Sequence, residues 1–244
     1  MTRAALLLAA FLCGAASLPA SAIDLIGQAT EATNEVTGTL DELVRTIQSG
    51  DGVSANEVVK TGVGSATLIA FLDDSVLNIG ASSTVVLDQF VFNPEGSADA
   101  AVLNLTKGAF RFVTGKSDPS KFVIQTQVAT LGIRGTDFVV LCDGDDRCGV
   151  VVSKGVVKIC PRPHQPVDCP AAFDLDRVRN AAIIGPSGET TGPKSIPPSL
   201  VTAITEAVAS GADGLTTAMI ALGFDTDRGR LNEPRPRPIN ASPG

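Results

Sequence analysis

The side chains able to do chemistry in this 244-residue chain are few, and the densest group is the cysteine set Cys142, Cys148, Cys160 and Cys169. Four thiols in an oxidising compartment make two disulfides, with three pairings open to them. The spacing favours Cys142 with Cys148 across the loop from Asp143 to Arg147, and Cys160 with Cys169 across a proline-rich loop. These spacings lack the paired C-x2-C knuckles of structural zinc, and His164 is the only imidazole, so no metal is expected there. Asp143, Asp145 and Asp146 crowd one turn and could offer oxygens to Ca2+, but the rest of a calcium loop is missing; a solvated acidic turn is the plainer expectation. Adjacent Asp73 and Asp74 would point to opposite faces of an extended chain, which suits a turn better than a paired acid and base. His164 sits in the proline-rich loop, no G-x-S-x-G occurs, and Gly185 to Ser195 misses the phosphate-loop spacing because Pro193 separates Gly192 from Lys194. No catalytic residue and no cofactor are expected, and the chain reads as a non-enzyme.

The most distinctive run is Gly132-Ile133-Arg134-Gly135-Thr136. Two glycines around an arginine suggest backbone conformations or close approaches that a side chain would obstruct, which makes a structural corner. Arg134 then offers five donors to carbonyls or carboxylates nearby, and a ligand-facing arginine is the sharper alternative.

The elements that must position this run are strands. From residue 23 to 160, short apolar-alternating pieces recur between Gly, Asp and Asn turns: 67–72, 76–79, 84–87, 102–105, 109–113, 122–125, 138–142, 150–152 and 156–160. Phe90 and Phe92 share a face, and Ser153-Lys154-Gly155 reads as a hairpin turn between the last two pieces. The fold class is all-β, a sandwich or a short solenoid-like stack, with a small C-terminal helical appendage. Residues 161–198 hold too many prolines and glycines for a sheet interior and read as loop and linker. Residues 199–224 carry apolar side chains at helical spacing: Leu200, Ile204 and Val208, then Leu215, Met219 and Leu222. Gly211 separates the two runs, Asp213 is a plausible N-cap, and 225–244 is a Pro/Arg-rich tail expected to be disordered.

Residues 1–22 form a basic start at Arg3, an apolar stretch and Ala20-Ser21-Ala22, the pattern of a secretory signal peptide cleaved after Ala22. Phe11-Leu12 ahead of Cys13 argue against lipidation. The mature chain is expected to be periplasmic or secreted, with no further stretch apolar enough to span a bilayer. A formal charge of −7 disfavours duplex nucleic acid, whose phosphates need clustered Lys and Arg. With no Trp or Tyr, the usual platforms for stacking bases or sugars are missing.

Several pieces together resemble the FecR-domain family. They are Ser49-Gly50-Asp51-Gly52-Val53, Glu57-Val58-Val59-Lys60-Thr61-Gly62, Phe71-Leu72-Asp73-Asp74-Ser75-Val76-Leu77 and Val85-Val86-Leu87-Asp88. Lys107-Gly108-Ala109-Phe110-Arg111-Phe112-Val113-Thr114-Gly115 follows, then Gln125-Thr126-Gln127-Val128-Ala129-Thr130, which runs into the Leu131-Gly132-Ile133-Arg134-Gly135-Thr136 stretch. The resemblance spans roughly Ile26 to Val152. It implies an all-β periplasmic domain in regulators that take a signal from an outer-membrane receptor to a relay controlling a sigma factor. This chain departs from the family pattern in having Gln127 where a proline is frequent. It shows neither a membrane span nor a cytoplasmic anti-sigma segment, so relay across the inner membrane is not expected of it. The expected partner is an envelope protein, in a sensory or adaptor role; a structural, self-associating envelope or extracellular β-protein is the alternative.

Overall fold

A computed structural model describes residues 24–144, 147–162, 169–211 and 219–223. The signal-peptide segment, Asp145, Asp146, His164, Asp213, Leu215 and the Pro/Arg-rich tail lie outside the described residues.

The described chain begins with β1 (Leu25–Thr33), β2 (Val36–Leu40), β3 (Leu43–Thr46), β4 (Gly52–Ser54) and β5 (Glu57–Thr61). It continues through β6 (Ala66–Phe71), β7 (Val76–Ile79), β8 (Thr84–Phe92), β9 (Ala98–Val113) and β10 (Phe122–Thr126). Then come β11 (Ala129–Cys142), β12 (Cys148–Pro161), β13 (Phe173–Leu175), β14 (Ala181–Ile184), β15 (Thr190–Lys194) and the helix α1 (Pro198–Ser210). Their pairing makes two layers. The first runs β3–β2–β5–β8–β9–β10–β11–β12–β13. The second runs β4–β1–β6–β7–β9–β11–β12–β14–β15. All neighbours are antiparallel except β9 with β10.

β9, β11 and β12 appear in both layers because each bends midway. Residues 98–107 of β9 pair with β8, and its far end, 110–113, pairs with β7. Arg134 of β11 pairs with Val156 in the first layer, the register shifts, and Asp137 pairs with Lys154 in the second. Strands that switch sheets at bends are how orthogonal packings turn their corners. The expected hairpin at Ser153-Lys154-Gly155 is corrected accordingly: β12 is continuous, and Gly155, at φ 80°, bends it instead of reversing it. For the same reason the pieces 102–105 and 109–113 are one strand, bent at Gly108 with φ 109°. A positive φ in an apolar series marks a bend as readily as a turn, and local sequence does not separate the two.

The core lies between the layers. Phe71 of the second layer stacks on Phe90 of the first at 4.9 Å, and Phe112 of the second packs on Phe122 of the first at 5.2 Å. A smaller cluster lies on the outer side of the second layer, where Val139, Leu141, Val151 and Ile183 are covered by Ile204 and Val208 of α1 and by Leu222. This explains the uninterrupted apolar runs Phe138 to Leu141 and Val150 to Val152: these segments are buried on both faces. Gly211 closes α1 in the left-handed conformation at φ 64°, a glycine C-cap.

Residues 161–198, expected as loop, contain three strands. β14, Ala-Ala-Ile-Ile, is wholly buried, and β13 and β15 are too short for a clear alternation. Asp73 and Asp74 occupy a turn: the buried Asp73 carboxylate accepts from the Ser75 amide and hydroxyl at 3.1 and 2.8 Å, and Asp74 has φ 64°.

Cys142, at the end of β11, is bridged to Cys148, at the start of β12, and Cys160 of β12 is bridged to Cys169. Intact mass of the exported protein should therefore rise by two hydrogens per bridge on reduction; detection of free thiols before reduction would contradict the pairing.

Candidate functional site

Gly132, Arg134, Gly135 and Thr136 all lie on β11 where it passes between layers. Ile133 points into the core, so Gly132 and Arg134 face outward on the first layer. Gly135 has φ 60°, and a Cβ there would meet no atom within 4 Å. The tight contact is on the neighbouring strand. A Cβ on Gly155 would lie 2.0 Å from the Gly135 carbonyl oxygen, so the two bends pack backbone against backbone.

Thr136 anchors the bend to the end of β9. Its amide donates to Thr114 Oγ1 at 3.0 Å, and its carbonyl accepts from the Thr114 amide and hydroxyl at 3.0 and 3.2 Å. The Thr136 hydroxyl is buried and has no hydrogen-bond partner among the described residues, a polar cost carried at the corner.

Arg134 itself is exposed, and among the described residues its guanidinium forms no hydrogen bond or ion pair. Lys158 stands across from Gly132, diagonal to Arg134 and likewise exposed. Because Gly132 has no side chain and Lys158 lies 3.9 Å from its would-be Cβ, the patch is flat between the two cations. A chain of net charge −7 thus presents, on a glycine-floored strand surface, two cations that have no ion-pair partner among the described residues. Such a patch can recognise carboxylates through charge-assisted hydrogen bonds.

On the opposite side of the bend lies an arrangement that sequence reading missed. Arg111 Nε and Nη2 donate to Asp137 Oδ1 and Oδ2 at 2.9 and 2.8 Å, a bidentate pair. The hydrogen bond from Asp137 raises the Arg111 pKa above its ordinary value against the opposing effect of burial, so the guanidinium stays charged. The pair floors a cleft of about 510 Å³ beneath the start of α1, with Arg177, Asn180, Thr202 and Glu206 on its walls. Asn180 is not free there, since its amide group brackets Ile196 by accepting from N at 2.9 Å and donating to O at 3.4 Å. One signal for this pair was legible: Arg111 alternates with Phe110 and Phe112, which places a lone cation on the face opposite the core.

The bends of β9, β11 and β12, both glycine corners and Arg111 all fall in one stretch, residues 57–158, which matches the family model described as FecR protein. Residues 57 to 158 are FecR-like. This stretch runs from β5 into β12, so it includes the crossing strands β9 and β11 and most of β12, while β1 to β4, β13 to β15 and α1 lie outside it. Two crystal structures of a candidate anti-sigma factor from Parabacteroides distasonis, at 2.50 and 1.65 Å resolution, are similar to the chain at 16% and 17% identity with TM-scores of 0.44 and 0.45. The similarity covers 62% and 61% of this chain and spans 63% and 62% of those chains, somewhat under two thirds of each. No curated protein matches the chain. Among the described residues no helix is long and apolar enough to cross a membrane.

Proposed function

We propose that this FecR-domain chain is an exported, non-enzymatic protein-binding module with a sensory or adaptor role in the bacterial envelope. In this reading 1–22 is removed as a signal peptide, and the two disulfides stiffen the ends of β11 and β12 in an oxidising compartment. The observation that carries the reading is the FecR domain with an unpaired Arg134 at its bend. The fold holds the Arg134 backbone between two glycine-dependent bends, so the cation is offered to a partner carboxylate from a rigid base.

The test is crosslinking of the tagged protein in its own envelope, followed by mass spectrometry of what is captured. A membrane-bound regulator or receptor should be recovered, and Arg134→Glu should reduce its capture by about tenfold, the loss of one charge-assisted contact. The melting temperature should not move, because Arg134 is exposed and unpaired. Recovery of the protein alone, or of structural envelope components, would sink the adaptor reading in favour of a structural one.

A further inference from the structure

The cleft on the outer side of the second layer, about 510 Å³, has the size of small-molecule and short-peptide sites. Its charges divide into a closed pair and two open ones. Arg111 and Asp137, on the floor, satisfy each other through Nε and Nη2, so as a pair they add no net charge. That pairing uses one edge of the guanidinium and leaves Nη1, which has no hydrogen-bond partner among the described residues. Arg177 and Glu206 stand on different walls, one on the turn between β13 and β14 and the other on α1. Both are exposed, and among the described residues neither forms an ion pair, with the other or with any third group.

The walls are held in place. The Asp176 carboxylate accepts from the amides of Val178 and Arg179, both at 2.8 Å, which closes the turn that carries Arg177. Asn180, directly after that turn, grips the Ile196 backbone just ahead of α1, so turn and helix are tied to each other. Thr202 lies one helical turn before Glu206 and shares its face, and Ser153 of β12 brings a second hydroxyl to the cleft. Neither hydroxyl has a hydrogen-bond partner among the described residues. Pro198 and Val201 add apolar lining.

We propose that this cleft binds a short peptide with both termini free, its carboxylate held by Arg177 and Arg111 Nη1 and its ammonium by Glu206. What the cleft opposes narrows the ligand as much as what it attracts. A simple anion meets Glu206 and a simple cation meets Arg177, so a ligand that carries both signs at separate points is the one that suits both walls. A free amino acid carries the same two charges on a single carbon and fills little of the space. A short peptide sets them apart, and its backbone amides offer partners to the Thr202 and Ser153 hydroxyls. Arginine to carboxylate and ammonium to carboxylate are both charge-assisted contacts, the stronger kind of hydrogen bond. The site stands independently of the adaptor reading, since Arg134 faces outward on the first layer.

Titration of the full exported protein with trialanine, followed by amide chemical shifts, tests it. The shifts should cluster at Ser153, Arg177 and Glu206, with a dissociation constant on the order of 1 mM for two solvent-accessible charge-assisted contacts. N-acetyl-trialanine lacks the ammonium and trialanine amide lacks the carboxylate, and each should bind about tenfold more weakly. Substitution should reproduce these losses one pole at a time. Arg177→Ala should weaken trialanine about tenfold and leave trialanine amide unchanged, and Glu206→Gln should weaken trialanine about tenfold and leave the acetylated peptide unchanged. Arg134→Glu should alter none of these values. The proposal is overturned by the absence of shifts at about 10 mM trialanine, a tenfold excess over the expected constant. Blocked peptides or free alanine binding as tightly as trialanine overturn it too, as do shifts that cluster elsewhere or variants that bind like the parent. Should either variant fail to fold, the peptide series on the parent protein still decides.

Discussion

Replacing Gly155 with alanine is expected to destabilise the protein by about 4 kcal/mol or more, while the same change at Gly135 costs about 1–2 kcal/mol. Both residues sit at positive φ, 80° and 60°, so both variants bear the left-handed backbone penalty. Only Gly155 adds a collision. Its Cβ would lie 2.0 Å from the Gly135 oxygen, 2.8 Å from the Gly135 carbonyl carbon and 2.9 Å from the Arg134 oxygen, all of them backbone atoms that no rotamer change can clear. Relief would require separating the bends of β11 and β12, which share the most extensive ladder in the fold. Urea denaturation of the two variants measures the difference directly. Equal losses would show that the bends are not in the contact described.

Removing Arg45 is the second substitution with a large expected effect. Glu57 is 1% exposed. Its Oε2 accepts from the Ser54 amide at 3.0 Å and from Arg45 Nη2 at 3.1 Å, and Oε1 accepts from Arg45 Nε. Arg45→Ala leaves a buried carboxylate without its counter-charge, which costs 3–5 kcal/mol when the pair is fully enclosed. The Arg45 side chain is 40% exposed, so water can partly replace it, and about 2 kcal/mol is expected. The Glu57→Gln change in the same protein should restore part of that loss, giving a clearly non-additive double-mutant cycle. Additive losses would mean that Arg45 acts through its bond to Gly52 alone. The same clasp ties β3 to β5 across β2.

The strand content was legible because alternation and turn residues are local signals: β6, β7 and β10 fall within a residue of their expected bounds. What local pattern did not supply was the path of the long strands. Gly108 and Gly155 carry the same positive φ that a hairpin turn would use, and whether the chain reverses or bends there depends on partners far away in sequence, Ser83 for one and Gly135 for the other. β13 to β15 were missed for a related reason: β14 is buried throughout and so shows no alternation, and β13 and β15 are too short to display one. At the site, the glycine-flanked run Gly132 to Thr136 stood out in the sequence, but which way Arg134 faces did not follow from it. The Arg111–Asp137 pair was not legible, because its partners are 26 residues apart and meet only through the β9–β11 register.

Three strands continuous through both layers have a mechanical consequence. In an ordinary sandwich the sheets meet only through side chains and can slide by small steps. Here β9, β11 and β12 are threaded through both, so shear of one layer over the other would have to break backbone ladders on three strands at once. A body built this way should resist sliding of one layer over the other more than a sandwich held by side chains alone.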